Sequence, residues 1–106
     1  MKVTAGKVLD AVTLGASALY SFPVNVGGCP RTTFTGTASI PCKADIQVSH
    51  GGYDESAVWT SIQTVDITAT EPLNITIEHQ CNHARLAFHD GEGAVVNAWI
   101  HGQLHG

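Results

Sequence analysis

Apolar and polar positions alternate with a period of two along most of this chain. Between Asp45 and Ser49, Ile46 and Val48 point one way, and Asp45, Gln47 and Ser49 point the other. That is the pattern of a strand with one face buried and one face wet. The turn-rich run His50-Gly51-Gly52-Tyr53-Asp54-Glu55-Ser56 follows, and the chain returns through Val58-Trp59-Thr60-Ser61-Ile62. The stretch from Asp45 to Asp66 therefore reads as strand, loop, strand, with Trp59 anchoring the return.

Other segments repeat the pattern. Residues 1–7 are expected to be an N-terminal arm. Val8 to Leu14 reads as an opening strand, with a short amphipathic helix over Lys7 to Leu14 as the competing reading. In Leu19 to Val26, Tyr20, Phe22, Val24 and Val26 share one parity. Pro23 cannot donate a ladder hydrogen bond, so this strand belongs at an edge or is bulged. Arg31 to Ile40 is a further strand, and Thr64 to Thr70 continues the Trp59 strand or follows it closely. Leu73 to Cys81 is the cleanest strand, with Leu73, Ile75 and Ile77 on one face. Arg85 to His89 is short, Asp90-Gly91-Glu92-Gly93 predicts a hairpin turn, and Ala94 to Leu104 closes the chain. In that last strand Val96, Ala98 and Ile100 share one face, and Val95, Asn97, Trp99 and His101 the other. Seven to eight strands at roughly ten-residue spacing predict one all-β domain over residues 1–106, an antiparallel β-sandwich or jelly roll.

Composition narrows the functional classes. Charged residues make up 13% of the 106 residues and the net charge is −4, with no Lys/Arg run. Nucleic-acid binding needs a basic face to neutralise phosphates, so it is not expected. The start, Met1-Lys2-Val3-Thr4, shows no basic segment followed by an unbroken apolar run, so neither a signal peptide nor a membrane span is expected. Three cysteines, Cys29, Cys42 and Cys81, are an odd number at low density. Reduced thiols are the default, and a Cys29–Cys42 bridge is open if the two flank a hairpin.

Six histidines invite a metal reading. His79, Cys81 and His83 alternate, which would align three zinc or copper ligands on one strand face, with His101 or His105 to complete the set. The plainer reading makes them ordinary positions at a strand end, with Cys81 in the core, and no cofactor is then implied. No G-x-S-x-G elbow occurs, and the carboxylates are scattered rather than paired, so an enzyme is not expected. Tyr53, Trp59 and Trp99 would make a stacking platform for sugars if exposed. Filling the core or a subunit interface is the stronger expectation for both tryptophans.

The segments ADIQVSHGGYDESAVW, TVDITAT, HARLAF, DGEGA and VVNAWIHG, within roughly Thr33 to Gly102, follow one another in an order that resembles small tailed-phage virion proteins. The turn before Trp59 is longer here than the serine-Asp-Gly form common in that class. The resemblance implies a capsid decoration or cement subunit without catalytic residues, often a trimer, bound to the major capsid protein or another virion protein. It implies a location in the virion after synthesis in the host cytoplasm. Tyr53 and Asp54 in the loop, and Trp99, are the expected contact residues. A carbohydrate-binding or tail- or fibre-associated β-sandwich is the alternative, and a small metal-binding β domain a further one.

Overall fold

The computed structural model describes residues 3–50 and 58–103. The expected contact residues Tyr53 and Asp54, and the possible metal ligand His105, lie outside them. Nine strands form among the described residues: β1 (Val3–Thr13), β2 (Leu19–Tyr20), β3 (Val24–Asn25), β4 (Arg31–Ala38), β5 (Cys42–Ser49), β6 (Thr60–Ile67), β7 (Leu73–Glu78), β8 (His83–His89) and β9 (Val95–Gln103). They make two antiparallel sheets. The first has the order β1-β9-β4-β7 and the second β2-β8-β5-β6, with β3 also pairing with β8. β2 and β3 flank Pro23 on the same edge of β8, so they fill one strand position interrupted by the proline. With that position counted once, the order is that of an eight-stranded jelly roll.

Period-two alternation decides which side of each strand is buried. Thr32, Phe34 and Ala38 of β4, Ala44, Ile46 and Val48 of β5, Leu86 and Phe88 of β8, and Val96, Ala98 and Ile100 of β9 all point inward. The apolar members form one core between the sheets. Each fully buried Leu, Ile, Val or Phe contributes roughly 1.5–3 kcal/mol relative to exposure. Trp59 and Trp99 are absent from that core: both are half-buried on outer faces. Trp99 has the opposite parity to Ala98 and Ile100, which already fill the interior.

β5 and β6 are the only consecutive described strands hydrogen-bonded to each other. Their ladder runs from Cys42 opposite Ile67 to Val48 opposite Thr60, with a bulge at Ile62. The other connections pass between sheets or, from β2 to β3, along one edge. Asp90 to Gly93, expected as a hairpin turn, carries the chain from β8 in the second sheet to β9 in the first. The cause is close packing at that end of the sandwich. A Cβ on Gly91 would lie 2.4 Å from Cys42 Cβ and 2.6 Å from the Pro41 carbonyl oxygen. Gly93 and Ala94 then bond to Leu14 instead of back to β8: Gly93 N–H donates to the Leu14 carbonyl at 2.8 Å, and Leu14 N–H to the Ala94 carbonyl at 2.7 Å.

The N-terminal segment also differs from expectation. Val3 to Lys7 pair with Gln103 to Trp99 of β9, so these residues of the expected arm are strand. β1 carries two irregularities, and Ala11 takes a φ of 49° with its N–H bonded to Asn97 Oδ1 at 2.9 Å. A Cys29–Cys42 bridge is excluded by position, and all three cysteines are free thiols. Cys42 packs against Gly91, before β9, and Cys29 Sγ against Gly102, near its far end. A nine-residue strand separates those sites by roughly 25 Å.

Ser21 repairs the edge that Pro23 breaks. Its N–H donates to the Leu86 carbonyl at 2.9 Å, and its hydroxyl accepts the Leu86 N–H at 2.9 Å. The serine side chain thus replaces a ladder partner, and Ser21 is only 3% exposed. Ser21→Ala leaves the Leu86 N–H buried without an acceptor. The expected loss is about 1–3 kcal/mol, read from urea unfolding, and a change near zero would show that another acceptor replaces the hydroxyl.

Candidate ligand-binding face

The outer face of the second sheet is built by register. β8 lies between β5 and the β2/β3 edge, and β5 lies between β8 and β6. Arg85 stands opposite Gln47, which stands opposite Ser61. Ala87 stands between Tyr20 and Asp45, which stands opposite Thr64. Alternation sends all these side chains outward, so residues far apart in sequence form a two-dimensional array.

Arg85 is the centre of that array. Its guanidinium lies 4.2 Å from the ring centroid of Tyr20 and 4.2 Å from that of Trp59. Arg85 Nε donates to Gln47 Oε1 at 2.7 Å, and Gln47 Nε2 donates to Ser61 Oγ at 3.0 Å. The two rings hold the cation by their quadrupoles, and Gln47 fixes its rotation. Burial between the rings pulls the Arg85 pKa down, opposed by Tyr20, and the group remains a cation at any working pH. Among the described residues no carboxylate pairs with it. Tyr20 is 51% exposed and neighbouring Phe22 is 77% exposed.

A second polar cluster lies beside the first. Asp45 Oδ1 accepts the Thr64 hydroxyl at 2.7 Å and lies 3.0 Å from His89 Nε2. His89 Nδ1 lies 3.3 Å from Asp90 Oδ2. Both imidazole nitrogens therefore face carboxylates, which leaves neither to activate a nucleophile. The bond to Asp45 raises the His89 pKa; partial burial opposes it, and the charges of Asp45 and Asp90 add to it. Partial burial pushes Asp45 up, but the bonds from His89 and Thr64 and the charges of His89 and Lys43 outweigh it, so its carboxyl titrates lower than usual.

The candidate metal ligands are not aligned on one strand face. β7 ends at Glu78 and β8 begins at His83, so His79 and Cys81 lie in the connection between them. His79 Nδ1 accepts the Cys81 backbone N–H at 3.2 Å, which places the ring proton on Nε2, where it faces Thr32 Oγ1 at 2.5 Å. Both nitrogens are thus engaged within the protein. Burial lowers the His79 pKa. His101 sits on β9 between Ala5 and Thr33, in the first sheet. Among the described residues, no three His, Cys, Asp or Glu side chains converge to hold a metal.

The alternative reading of an aromatic platform finds its two tryptophans on different faces, and its third member, Tyr53, lies outside the described residues. Trp59 belongs to the second sheet's outer face, whereas Trp99, with the Lys7 ammonium 5.2 Å from its ring, is on the first sheet's. The sequence pattern does not single out Tyr20, Gln47 and Arg85 as binding residues. Their one local signal is outward parity; the register that joins them is not local.

No protein-family model and no curated protein matches the chain. Solved structures do. A structure from Bacillus endospore appendages, which form a family of disulfide-linked pili, matches with a TM-score of 0.55 at 14% identity, over 97% of this chain and 89% of that one. A family 29 carbohydrate-binding module with one aspartate replaced by alanine gives a TM-score of 0.49 at 13% identity, over 98% and 89%. A second aspartate-to-alanine mutant of that module, complexed with mannohexaose, gives 0.49 at 13%, over 98% and 96%. At such identity the likeness is one of fold, and the chain is an all-β protein of the β-sandwich class.

The Asp45–His89 pair gives a pH test. Because the His89 pKa is raised by folding, its contribution is complete below the ordinary value of 6.5 and is lost as pH rises through the raised value. Because the Asp45 pKa is lowered, its contribution is complete above 3.8 and is lost as pH falls through the lowered value. The stability advantage of the wild type over Asp45→Asn should therefore be largest between those values and narrow on both sides. Urea midpoints measured across pH check this; an advantage that does not vary with pH would show that the pair does not titrate as described.

Proposed function

We propose that this chain is a non-catalytic glycan-binding module whose site is the outer face of the second sheet. The observation that carries the reading is the Tyr20–Arg85–Trp59 stack, with Gln47 and Ser61 in line beside it. A pyranose has an apolar C–H face and a rim of hydroxyls. Aromatic rings meet the first, and planar side chains such as Arg, Gln and Asp bond pairs of neighbouring hydroxyls on the second. Rings and planar groups on packed strands are pre-organised, so little side-chain entropy is lost on binding. The chain's net charge of −4 makes a neutral glycan a better ligand than a polyanion.

Titration with a panel of soluble neutral polysaccharides and oligosaccharides, followed by tryptophan fluorescence and calorimetry, tests this reading. At least one ligand should quench fluorescence, and Trp59→Ala or Arg85→Ala should weaken its binding about tenfold or more, equivalent to roughly 1.4 kcal/mol. Trp99→Ala should bind as the wild type does. A flat response across the panel, or a loss caused by Trp99→Ala alone, overturns the assignment of this face.

A virion subunit of the decoration or cement type is the second reading. The resemblance to tailed-phage proteins favours it, as do apolar side chains at or beside exposed edges: Phe22 and Val58, each 77% exposed, and Ile62, 43% exposed. Such side chains are commonly covered by a neighbouring subunit. Light scattering of the purified chain is expected to give a trimer if this reading holds, with binding to assembled capsids; a monomer at all concentrations would count against it.

A further inference from the structure

The end of the sandwich opposite Cys42 holds a pocket of about 930 Å³, lined in part by Cys29, Arg31, Glu78, His79 and Cys81. Two connections build it: the turn from β3 to β4 and the crossover from β7 to β8. They run antiparallel between a rung of each sheet. Arg31 pairs with Glu78 in the first sheet, and Asn25 with His83 in the second. Between those rungs, His79 N–H donates to the Pro30 carbonyl at 3.1 Å, and Val26 N–H to the Asn82 carbonyl at 2.7 Å. Cys29 and Cys81 lie inside this bracket, on facing segments, and both line the same pocket. Cys29 is buried and Cys81 partly exposed.

We infer that Cys29 and Cys81 are a dithiol pair that closes to an intramolecular disulfide when a low-molecular-weight disulfide enters the pocket. Disulfide formation needs Cα atoms about 4.4–6.8 Å apart, so the bond closes when the two facing segments bring Cys29 and Cys81 within that range. Cys81 is the entry thiol because it is the exposed one, and His50 Nε2, 3.8 Å from its sulfur, is placed to accept its proton. The Cys81 thiolate attacks one sulfur of the small disulfide, one thiolate leaves, and a mixed disulfide forms. The Cys29 thiolate then attacks the Cys81 sulfur, the second thiolate leaves, and the Cys29–Cys81 bond closes. Two electrons pass to the small disulfide, which departs as two thiols carrying the two protons that the cysteines gave up. Cys42 takes no part, because it lies at the other end of the molecule, against Gly91. The new bond ties the entry to β4, in the first sheet, to the entry to β8, in the second, and closes the pocket.

Trypsin makes the connectivity directly readable. Cleavage after Lys7, Arg31, Lys43 and Arg85 places Cys29, Cys42 and Cys81 in three different peptides. The folded protein is incubated with oxidised glutathione, alkylated and digested without reduction. The expected product joins peptide 8–31 to peptide 44–85, has lost two hydrogens, and retains no glutathione. Cys42→Ala should give the same product, and Cys81→Ser should leave Cys29 reduced. Because Cys81 is partly exposed, that variant is expected to keep the wild-type fold, checked by circular dichroism. The oxidised wild type should melt roughly 10 °C or more above the reduced form, and Cys81→Ser should show no such shift. A glutathione adduct that persists on Cys81, a bridge to Cys42, an intermolecular bridge, or thiols that stay reduced in the folded protein would each overturn the pairing.

Discussion

Phe88 reaches from the second sheet across the interior to the backbone of Gly36 in the first. A Cβ on Gly36 would sit 3.6 Å from the Phe88 ring and 3.0 Å from the Asn97 carbonyl oxygen. The burial of each sheet's inner face against the other, with Phe34 and Phe88 the largest fully buried side chains, is what the rest of the molecule depends on. A chain of 106 residues has a large surface for its volume. It therefore commits nearly every inward position to the core and leaves the outer faces for polar residues and rings. Arg85 turns outward to the Tyr20–Arg85–Trp59 stack because Ala84 and Leu86 fill the inward positions on either side of it.

The two ends of the sandwich differ in the same physical terms. At one end Gly91, Cys42, Leu14 and Ala94 are tightly packed and hydrogen-bonded, which closes the core. At the other end the facing segments around Cys29 and Cys81 leave a pocket. A thiol at the closed end is a small apolar core group, whose pKa burial raises. At the open end Cys29 and Cys81 line the pocket, and Cys81 reaches solvent. Position in the fold, not residue type, separates these roles.

Much of the strand plan is legible along the chain. Alternation turns Ile46 and Val48 inward, groups Val96, Ala98 and Ile100 on one face, and puts Pro23 at an interrupted edge, and the structure places them so. The stretch Asp45 to Asp66 does contain paired strands, and the structure joins the Trp59 and Thr64 segments into β6 with one bulge. The errors share one source. Asp90 to Gly93 carry ordinary hairpin residues, yet the chain there crosses between sheets. His79, Cys81 and His83 have strand spacing, yet the strand stops at Glu78 because His79 turns to bond Pro30 and Thr32. Each local pattern is sound, and a distant partner redirects it.

The sequence by itself determined where most of the strands form and which side of those strands is buried. Side-chain alternation follows from the covalent geometry of one extended chain, and apolar residues leave water wherever the chain runs. Only the tertiary structure decided which strands are neighbours. That choice set Arg85 between Tyr20 and Trp59, put Trp99 on the opposite face, and placed Cys29 and Cys81 in the lining of one pocket with Cys42 at the other end. Hydrogen bonds between strands join residues far apart in sequence. Their register depends on how two complete faces fit, which no short stretch of chain records.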